Sequence, residues 1–148
     1  MKMDHPYPTF AALASFLREA HTHLAYLQVI EPRVAADQDR EILLGETTEF
    51  LRLVWQGSDS SDNGTAYIGV GGYSPEAAIE AAEKNGGLVA FGRYLISNPD
   101  LPARIKKSIS LTPYDRSTFY APKSTYGYAD YAFADKESED HYEKVDKL

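Results

Sequence analysis

Two glycine-containing segments, each following a short apolar run, are the residues best suited to bind an anion. The apolar, β-prone run at residues 88–91 ends in Gly92-Arg93, and a similar run at residues 65–70 is closed by Gly71 and Gly72. Glycine lets the backbone approach a ligand, the following N–H groups can donate to it, and an arginine guanidinium can bind it with two hydrogen bonds. The pattern indicates a phosphate site at the ends of two consecutive strands, with simple turns as the alternative.

Other polar side chains could act as acids, bases or ligand contacts. Glu31 and Arg33 follow the apolar run at residues 24–30, where they could work at the carboxyl end of a strand or form an ion pair that holds the loop. Phe119 and Tyr120 could lie over a planar ligand with Tyr120 as a donor, or could pack among neighbouring aromatic rings. Asp130 is a further candidate acid or base.

A metal site is not predicted. His21 and His23 could share a face of a strand, but no third ligand accompanies them, and His21 is better explained as the end of a helix. The sequence also contains no Ser-His-Asp, HExxH or Walker-type arrangement.

The elements that position these residues alternate between helix and strand. Apolar periodicity predicts helices over residues 10–21, 47–55, 74–84, 94–96 and 99–107, with Thr9 and Ser74 as N-caps. Strands are predicted at residues 24–30, 65–70 and 88–91, the first as an unbroken apolar run typical of burial on both faces. Pro6 and Pro8 indicate an extended start, and residues 35–45 and 57–64 are predicted loops.

This alternation predicts an α/β fold with a parallel sheet and right-handed crossovers. Residues 111–131 are rich in Tyr, Pro and Gly and have no repeat period, which indicates an ordered aromatic meander. We expect one domain over residues 1–133 and a charged, flexible tail over residues 134–148.

Composition limits the partners. The 148 residues are 43% hydrophobic and 25% charged, as in ordinary globular proteins. With 15 basic and 22 acidic residues the net charge is −7, which disfavours nucleic acid and anionic membranes. The absence of cysteine excludes disulfides and thiolate chemistry. No membrane-length apolar run or signal peptide is evident, so the sequence predicts a soluble, cytoplasmic protein.

Taken in order, these segments resemble the carboxyl-terminal part of the old yellow enzyme family, the FMN-containing, NAD(P)H-dependent ene-reductases built on a β/α barrel. The resemblance extends from about residue 1 to residue 131, and the first ten residues are similar to fungal members in particular. The segments that carry it are Leu24-Ala25-Tyr26-Leu27, Glu31-Pro32-Arg33, Gly71-Gly72-Tyr73, Phe91-Gly92-Arg93, Ser97-Asn98-Pro99-Asp100-Leu101, Tyr114-Asp115-Arg116-Ser117-Thr118-Phe119-Tyr120 and Gly127-Tyr128-Ala129-Asp130-Tyr131.

The resemblance implies a partial (β/α)8 barrel whose three strands are the sixth, seventh and eighth of a complete one. By the same resemblance the FMN phosphate would be held by Gly71, Gly72, Gly92 and Arg93. Phe119 and Tyr120 would lie near the flavin ring. Gly72 stands where some members carry Asn, and the loop at residues 57–64 looks longer than is usual.

The five other barrel strands are not in this sequence, since a complete (β/α)8 chain needs roughly 250 residues. By the family pattern, the His/Asn pair that binds substrate and the tyrosine that donates the proton are missing with them. Three parallel strands also leave two unpaired edges and an apolar face, which predicts association. We therefore expect a homo-oligomer or a complementing amino-terminal half, with ene-reduction of small-molecule enones by FMN and NAD(P)H only in a completed barrel.

Two other hypotheses stay open at this point. In one, a homo-oligomer without flavin isomerises, dehydrates or cyclises a small apolar metabolite in a repurposed pocket. The acid–base groups would then be Glu31, Arg33, Tyr120, Asp130 or the histidines. In the other, the chain is a non-catalytic module that caps another barrel protein.

Overall fold

A computed structural model describes residues 3, 5–35, 38–43, 45–57 and 65–134. The chain divides into two compact units, Met1–Ala90 and Phe91–Leu148, and each is considered by itself. The predicted tail, apart from Ala134, and the predicted loop at residues 57–64, apart from Gly57, lie outside the described residues.

The amino-terminal unit alternates helices and strands as predicted. Its elements are α1 (Pro6–Ala20), β1 (Tyr26–Ile30), β2 (Val34–Ala35), β3 (Gln38–Asp39), α2 (Glu49–Gln56), β4 (Ala66–Val70), α3 (Pro75–Asn85) and β5 (Leu88–Ala90).

The sheet is parallel, as the alternation predicts, with the strand order β1-β4-β5. In its register Ile30 lies opposite Val70, and Val70 lies opposite Ala90. The carboxyl ends of the three strands therefore form one edge of the sheet. The glycines that follow β4 begin at this edge, which is where ligands bind in such folds.

One face of the sheet packs against α1 and α2. The core there is built from Ala14, Leu51, Trp55 and Tyr67, with Leu27 and Val29 of β1 against it. The Trp55 side chain is fully buried, and its indole N–H donates to the Ala66 carbonyl at 3.1 Å. Burial of aromatic and aliphatic side chains on this face is the main force that holds α2 to the sheet.

The other face of the sheet is exposed, so the prediction that β1 is buried on both faces was wrong. Tyr26 and Ile30 are 55% and 63% exposed, and Leu88 of β5 is 57% exposed. The apolar run was correctly predicted to be a strand of a parallel sheet, but burial of its other face requires a second layer of secondary structure on that side. The apolar face predicted to be uncovered is confirmed.

The start of α1 also differs from the prediction. The helix begins at Pro6, with His5 as N-cap, and not after Thr9. Pro6 and Pro8 both lie in the first helical turn, where the backbone N–H groups have no intrahelical partner and proline loses nothing. For α3 the prediction holds, since the Ser74 hydroxyl accepts the Ala77 N–H at 3.2 Å and Pro75 opens the helix.

Residues 35–45 were predicted as a loop, and the structure has a short antiparallel pair formed by Val34–Ala35 and Gln38–Asp39. Val34 in β2 lies opposite Asp39 in β3. Two-residue strands carry too little periodicity to be distinguished from a loop in sequence.

The carboxyl-terminal unit contains α4 (Arg93–Ser97), α5 (Leu101–Lys106) and a 3₁₀ turn at Arg116–Thr118. The rest of the segment up to Ala134 has no regular element, in agreement with the predicted meander. In the described part of the chain, no helix has the length and apolar character that crossing a membrane requires.

Candidate functional site

Glu31 and Arg33 lie just beyond β1 and share one neighbour, Tyr73, which follows β4. The Glu31 carboxylate accepts the Thr48 hydroxyl at 2.7 Å and the Tyr73 hydroxyl at 3.1 Å. The Arg33 guanidinium carbon lies 3.9 Å from the centre of the Tyr73 ring, a cation–π contact. We call Glu31, Arg33, Thr48 and Tyr73 the Glu31 cluster. The ion pair considered for Glu31 and Arg33 is thus replaced by two hydroxyl donors and a stacked ring.

The electrostatics of the Glu31 cluster keep its tyrosine protonated. Burial raises the pKa of Tyr73, and the negative charge of Glu31 raises it further. The Nε atom of Arg33 is buried and has no hydrogen-bond partner in the described part of the chain. Glu31, Thr48 and Tyr73 therefore hold structure at the strand ends by directing polar atoms at one another, while the buried Nε of Arg33 is not satisfied by them.

The glycines after β4 turn tightly around the Glu31 cluster. Gly71 and Gly72 have φ angles of +111° and +65°, which side chains other than glycine rarely adopt. A Cβ at Gly72 would lie 3.2 Å from the Cβ of Arg33, and a Cβ at Gly71 would lie 3.0 Å from Val34 Cγ2. The Cα atoms of this turn thus pack against Val34 and Arg33, while Gly72 itself is exposed at the strand end.

Gly69, inside β4, makes room for the Glu31 cluster in the same way. A Cβ at Gly69 would lie 3.1 Å from the Tyr73 hydroxyl oxygen and 3.4 Å from Glu31 Oε1. Sequence reasoning assigned this glycine only to the end of the strand. A glycine inside an otherwise β-prone run is the signal that could have indicated a close approach there.

In the carboxyl-terminal unit, Gly92 precedes α4 and Arg93 begins it. Among the described residues, no atom outside the immediate chain neighbours lies within 4 Å of the position that a Cβ of Gly92 would take. The Arg93 guanidinium carbon lies 5.3 Å from the centre of the Tyr114 ring.

The predicted aromatic pair belongs to a longer series of ring contacts. Phe119 lies 5.9 Å from Tyr114, 6.3 Å from Tyr120 and 6.2 Å from Tyr128, measured between ring centres. Tyr120 is 84% exposed and has a φ angle of +59°. An exposed aromatic residue on a backbone that non-glycine residues avoid is typical of a functional position.

Asp130 has a local structural contact. Its Oδ1 accepts the backbone N–H of Gly127 at 2.7 Å, which closes a turn in the meander. His21 is the C-cap of α1, as expected, and lies 6.1 Å from His23 between ring centres. No group of three potential metal ligands occurs among the described residues.

Sequence reasoning missed a buried polar network around α4 and α5. The side chains of Ser97, Asn98 and Arg104 are at most 1% exposed. Asn98 Oδ1 accepts the Thr112 N–H at 2.8 Å, and its Nδ2 donates to the Thr112 carbonyl at 3.0 Å. The network fastens the start of the meander to the end of α4. The i, i+4 spacing of Asp100 and Arg104 was the available signal.

Arg104 extends this network to the end of the meander. Its Nε donates to Asp100 Oδ1 at 2.7 Å, and one terminal nitrogen donates to the Ala132 carbonyl at 2.9 Å. Asp100 Oδ2 in turn accepts the Ala134 N–H at 3.0 Å. Burial acts to raise the pKa of Asp100, but the Ala134 N–H and Arg104 outweigh it and hold that pKa below its ordinary value.

Described residues of the amino-terminal unit line cavities that sequence patterns did not indicate. A polar cavity of about 410 Å³ is lined by residues that include Glu31, Arg52, Tyr67 and Tyr73. Burial there raises the pKa of Tyr67 to about 12. A larger, mostly apolar cavity of about 630 Å³ lies along α1 and β1.

Comparisons with known proteins identify the family of this chain. Residues 3–112 match the NADH:flavin oxidoreductase / NADH oxidase family. A flavin oxidoreductase of Emericella nidulans is 44% identical over 117 residues, which are 74% of this chain and 30% of the relative. A chanoclavine-I aldehyde reductase of Penicillium roqueforti is 38% identical over 138 residues, which are 90% of this chain and 35% of the relative.

Solved structures agree as well. Morphinone reductase superimposes with a TM-score of 0.69 at 31% identity, over 92% of this chain and 33% of that protein. The chain spans about a third of the length of the curated relatives that it matches. The matched residues contain both glycine segments. The chain therefore belongs to the NADH:flavin oxidoreductase / NADH oxidase family, the old yellow enzyme family that its motifs resemble.

Proposed function

We propose that this chain supplies the phosphate-binding segment of a flavin oxidoreductase barrel, and that reduction of a small-molecule enone requires the rest of the barrel. In this proposal β1, β4 and β5 are the sixth, seventh and eighth strands of a (β/α)8 barrel. The family uses FMN and NAD(P)H, which supports the cofactors expected from the sequence.

The observation that carries the proposal is the turn at Gly71 and Gly72. Its inward side is filled, since a Cβ on either glycine would crowd Val34 or Arg33. Its outward side begins at the carboxyl edge of a parallel sheet, the edge at which such folds bind phosphate. A turn that is packed on one side and open at the edge of the sheet on the other suits an anion that approaches main-chain N–H groups.

The residues of the second segment also fit an anionic group. No described atom beyond its chain neighbours lies within 4 Å of where a side chain of Gly92 would stand, and Arg93 supplies a guanidinium whose carbon lies 5.3 Å from the centre of the Tyr114 ring. An arginine fork can bind two phosphate oxygens, and these charge-assisted hydrogen bonds are stronger than neutral ones. In our proposal Gly92 and Arg93 contribute contacts to the phosphate of FMN.

When bound, FMN supplies hydride transfer between NAD(P)H and the substrate. We propose that Phe119 and Tyr120 cover one part of the flavin ring and exclude water from it. The exposure of Tyr120 and its left-handed backbone support this role, because the surrounding turn holds the ring outward at a conformational cost.

The catalytic roles considered for Glu31, Arg33 and Asp130 receive less support from their contacts. Glu31 accepts two hydroxyl groups, Arg33 is stacked on a ring, and Asp130 closes a turn. We assign Glu31 and Arg33 to the support of the glycine turn, through Tyr73.

The proposal is tested by comparing FMN with riboflavin, which lacks the phosphate. Arg93→Ala should weaken FMN binding by about 10- to 100-fold, since hydrogen bonds to a charged group contribute about 1.5–3 kcal/mol. Riboflavin binding should change less than threefold. Lys106→Ala, an exposed cation in α5, is the matched control and should leave both affinities unchanged. Equal losses for FMN and riboflavin would contradict the phosphate assignment.

A flavin-independent isomerase, dehydratase or cyclase remains the second candidate, and one observation favours it. Glu31 and Tyr73 line the same polar cavity of about 410 Å³, so a carboxylate and a phenol face one space. Turnover of an apolar metabolite by the flavin-free protein, lost in Glu31→Gln, would support this function. A completed barrel that holds FMN and shows no such turnover would exclude it.

A further inference from the structure

The polar cavity of about 410 Å³ lies over β4, on the face of the sheet that the helices cover. Tyr67 and Gly69 are two residues apart in β4, so they face the same side of the sheet, and Tyr67 packs in the core there with Trp55 of α2. Because Gly69 has no side chain, space remains above it, and residues of α2 and α3 line this space. Its volume lies within the range of small-molecule sites, about 300–1,000 Å³.

The hydroxyl hydrogens around one end of this cavity are already used. The Thr48 hydroxyl donates to Glu31 Oε1 at 2.7 Å, and the Tyr73 hydroxyl donates to the same oxygen at 3.1 Å. The Tyr67 hydroxyl donates to the Thr48 carbonyl at 3.5 Å. The two phenol oxygens keep their lone pairs, and no described residue donates to the second carboxylate oxygen, Glu31 Oε2. These three oxygens can therefore accept hydrogen bonds from a ligand and have no hydrogen left to donate.

The charges at the same end favour a positive ligand. Burial raises the pKa of Tyr67 to about 12, and the negative charges of Glu31 and Glu49 add to this rise. The Tyr67 side chain is 5% exposed, so water screens these charges little. Arg52 also lines the cavity, but its Nε donates to both carboxylate oxygens of Glu49 at 2.9 Å. Its positive charge is therefore paired.

We propose that this cavity binds a small primary amine in its ammonium form, with the N–H groups directed at Glu31, Tyr67 and Tyr73. The apolar body of the amine would lie against Ala81 and Val89, which also line the cavity. An ammonium group has three N–H donors for the three acceptor oxygens, whereas a divalent metal requires about six oxygen ligands. The site lies within the amino-terminal unit and needs no flavin, so it does not rest on the proposed function.

The experiment titrates the full chain with phenethylamine at pH 7 and fixed ionic strength, by isothermal calorimetry. Phenethyl alcohol and hydrocinnamate are the comparison ligands, because they keep the ring and replace the ammonium by a neutral and a negative group. The amine should bind with saturation at one site. The alcohol should bind at least about tenfold more weakly, because hydrogen bonds to a charged group are the stronger ones, and hydrocinnamate should not saturate.

A charge-removing variant tests the role of Glu31. Glu31→Gln keeps an acceptor for the Thr48 and Tyr73 hydroxyls and should weaken amine binding by about tenfold. Glu83→Gln removes the same charge from an exposed position of α3 outside the cavity lining, and it should weaken binding less than twofold. This matched control is needed because the net charge of −7 attracts any cation weakly.

A second variant tests the cavity itself. Ala81→Leu fills the space from α3 and leaves the hydrogen bonds of Glu31 in place, so it should weaken amine binding at least tenfold. Urea denaturation verifies that both variants fold like the unaltered chain. The proposal is overturned if the amine does not saturate, if the three ligands bind alike, if Glu31→Gln and Glu83→Gln behave alike, or if Ala81→Leu binds the amine as the unaltered chain does.

Discussion

Replacement of Arg104 should most clearly destabilise the attachment of the meander to α5. Its side chain is 1% exposed, and the carboxylate of its partner Asp100 is 15% exposed. Arg104→Leu leaves Asp100 Oδ1 and the Ala132 carbonyl without the guanidinium donor, while Asp100 Oδ2 keeps the Ala134 N–H. Breaking a buried ion pair costs about 3–5 kcal/mol, and the partial exposure of Asp100 places this case near 3 kcal/mol. Leucine keeps the apolar contacts, so the loss measures the polar ones.

The assay has a global and a local readout. Urea denaturation should show the loss of about 3 kcal/mol for Arg104→Leu, and a change below about 0.5 kcal/mol for the exposed control Lys106→Leu. Hydrogen exchange should show the amides of Thr112 and Ala134 exposed in Arg104→Leu alone, because both are bonded to the network. A loss below 1 kcal/mol with both amides still protected would refute the reasoning.

The same network predicts an acid dependence. The pKa of Asp100 is lower in the folded chain than its ordinary value of 3.8. Its stabilising contribution is therefore complete above that value and is lost as the pH falls through the lower, folded-state pKa. Asp100→Asn should remove this part of the acid dependence in a denaturation series from pH 5 to pH 2. If Asp100→Asn loses stability between pH 5 and pH 2 in the same way as the unaltered chain, the carboxylate is not held by the network.

Three further predictions concern single side chains. Gly127→Ala should cost at least about 2 kcal/mol in urea denaturation, because the φ angle is +66° and the new Cβ would overlap the Thr118 side chain; a neutral result would contradict the turn geometry. Because the pKa of Tyr67 is raised, its phenol stabilises the fold only while it is protonated, and the unaltered chain should lose stability as the pH rises from about 10 to about 12. Tyr67→Phe should not show this loss. An identical loss of stability in both proteins would contradict the burial of Tyr67. Tyr73→Phe removes a donor to Glu31 and should cost about 1 kcal/mol, measured in the same way; no loss would mean that the bond contributes nothing.

The parallel sheet was predictable because three apolar runs alternate with helical patterns at short spacing. The start of α1 was not, since Pro6 and Pro8 break most helices and are harmless only in a first turn. Burial of β1 on both faces was predicted wrongly for a related reason. An apolar run reports which residues would be buried by a second layer, and it does not report whether the chain supplies that layer.

At the candidate site, the sequence indicated the glycines and charges but not their contacts. Gly71 and Gly72 were identified from their position after a strand, whereas the stacking of Arg33 on Tyr73 joins residues 40 positions apart. The network of Asn98 and Arg104 was missed for the same reason, because its acceptors are carbonyl groups 14 and 28 residues away. Every residue has a main-chain carbonyl, so a hydrogen bond to that group does not restrict the type of the acceptor residue and is not predicted by the sequence.

The claim that this chain forms the FMN-binding segment of a flavin oxidoreductase barrel is tested most directly by elution of flavin with protein. The chain, mixed with FMN and with the part of the Emericella nidulans flavin oxidoreductase that it does not match, is passed over a sizing column with absorbance and light scattering recorded together. We predict a one-to-one complex that carries one flavin, and an Arg93→Ala complex of the same mass that loses most of it. A complex of the right mass that elutes colourless with the unaltered chain would contradict the account.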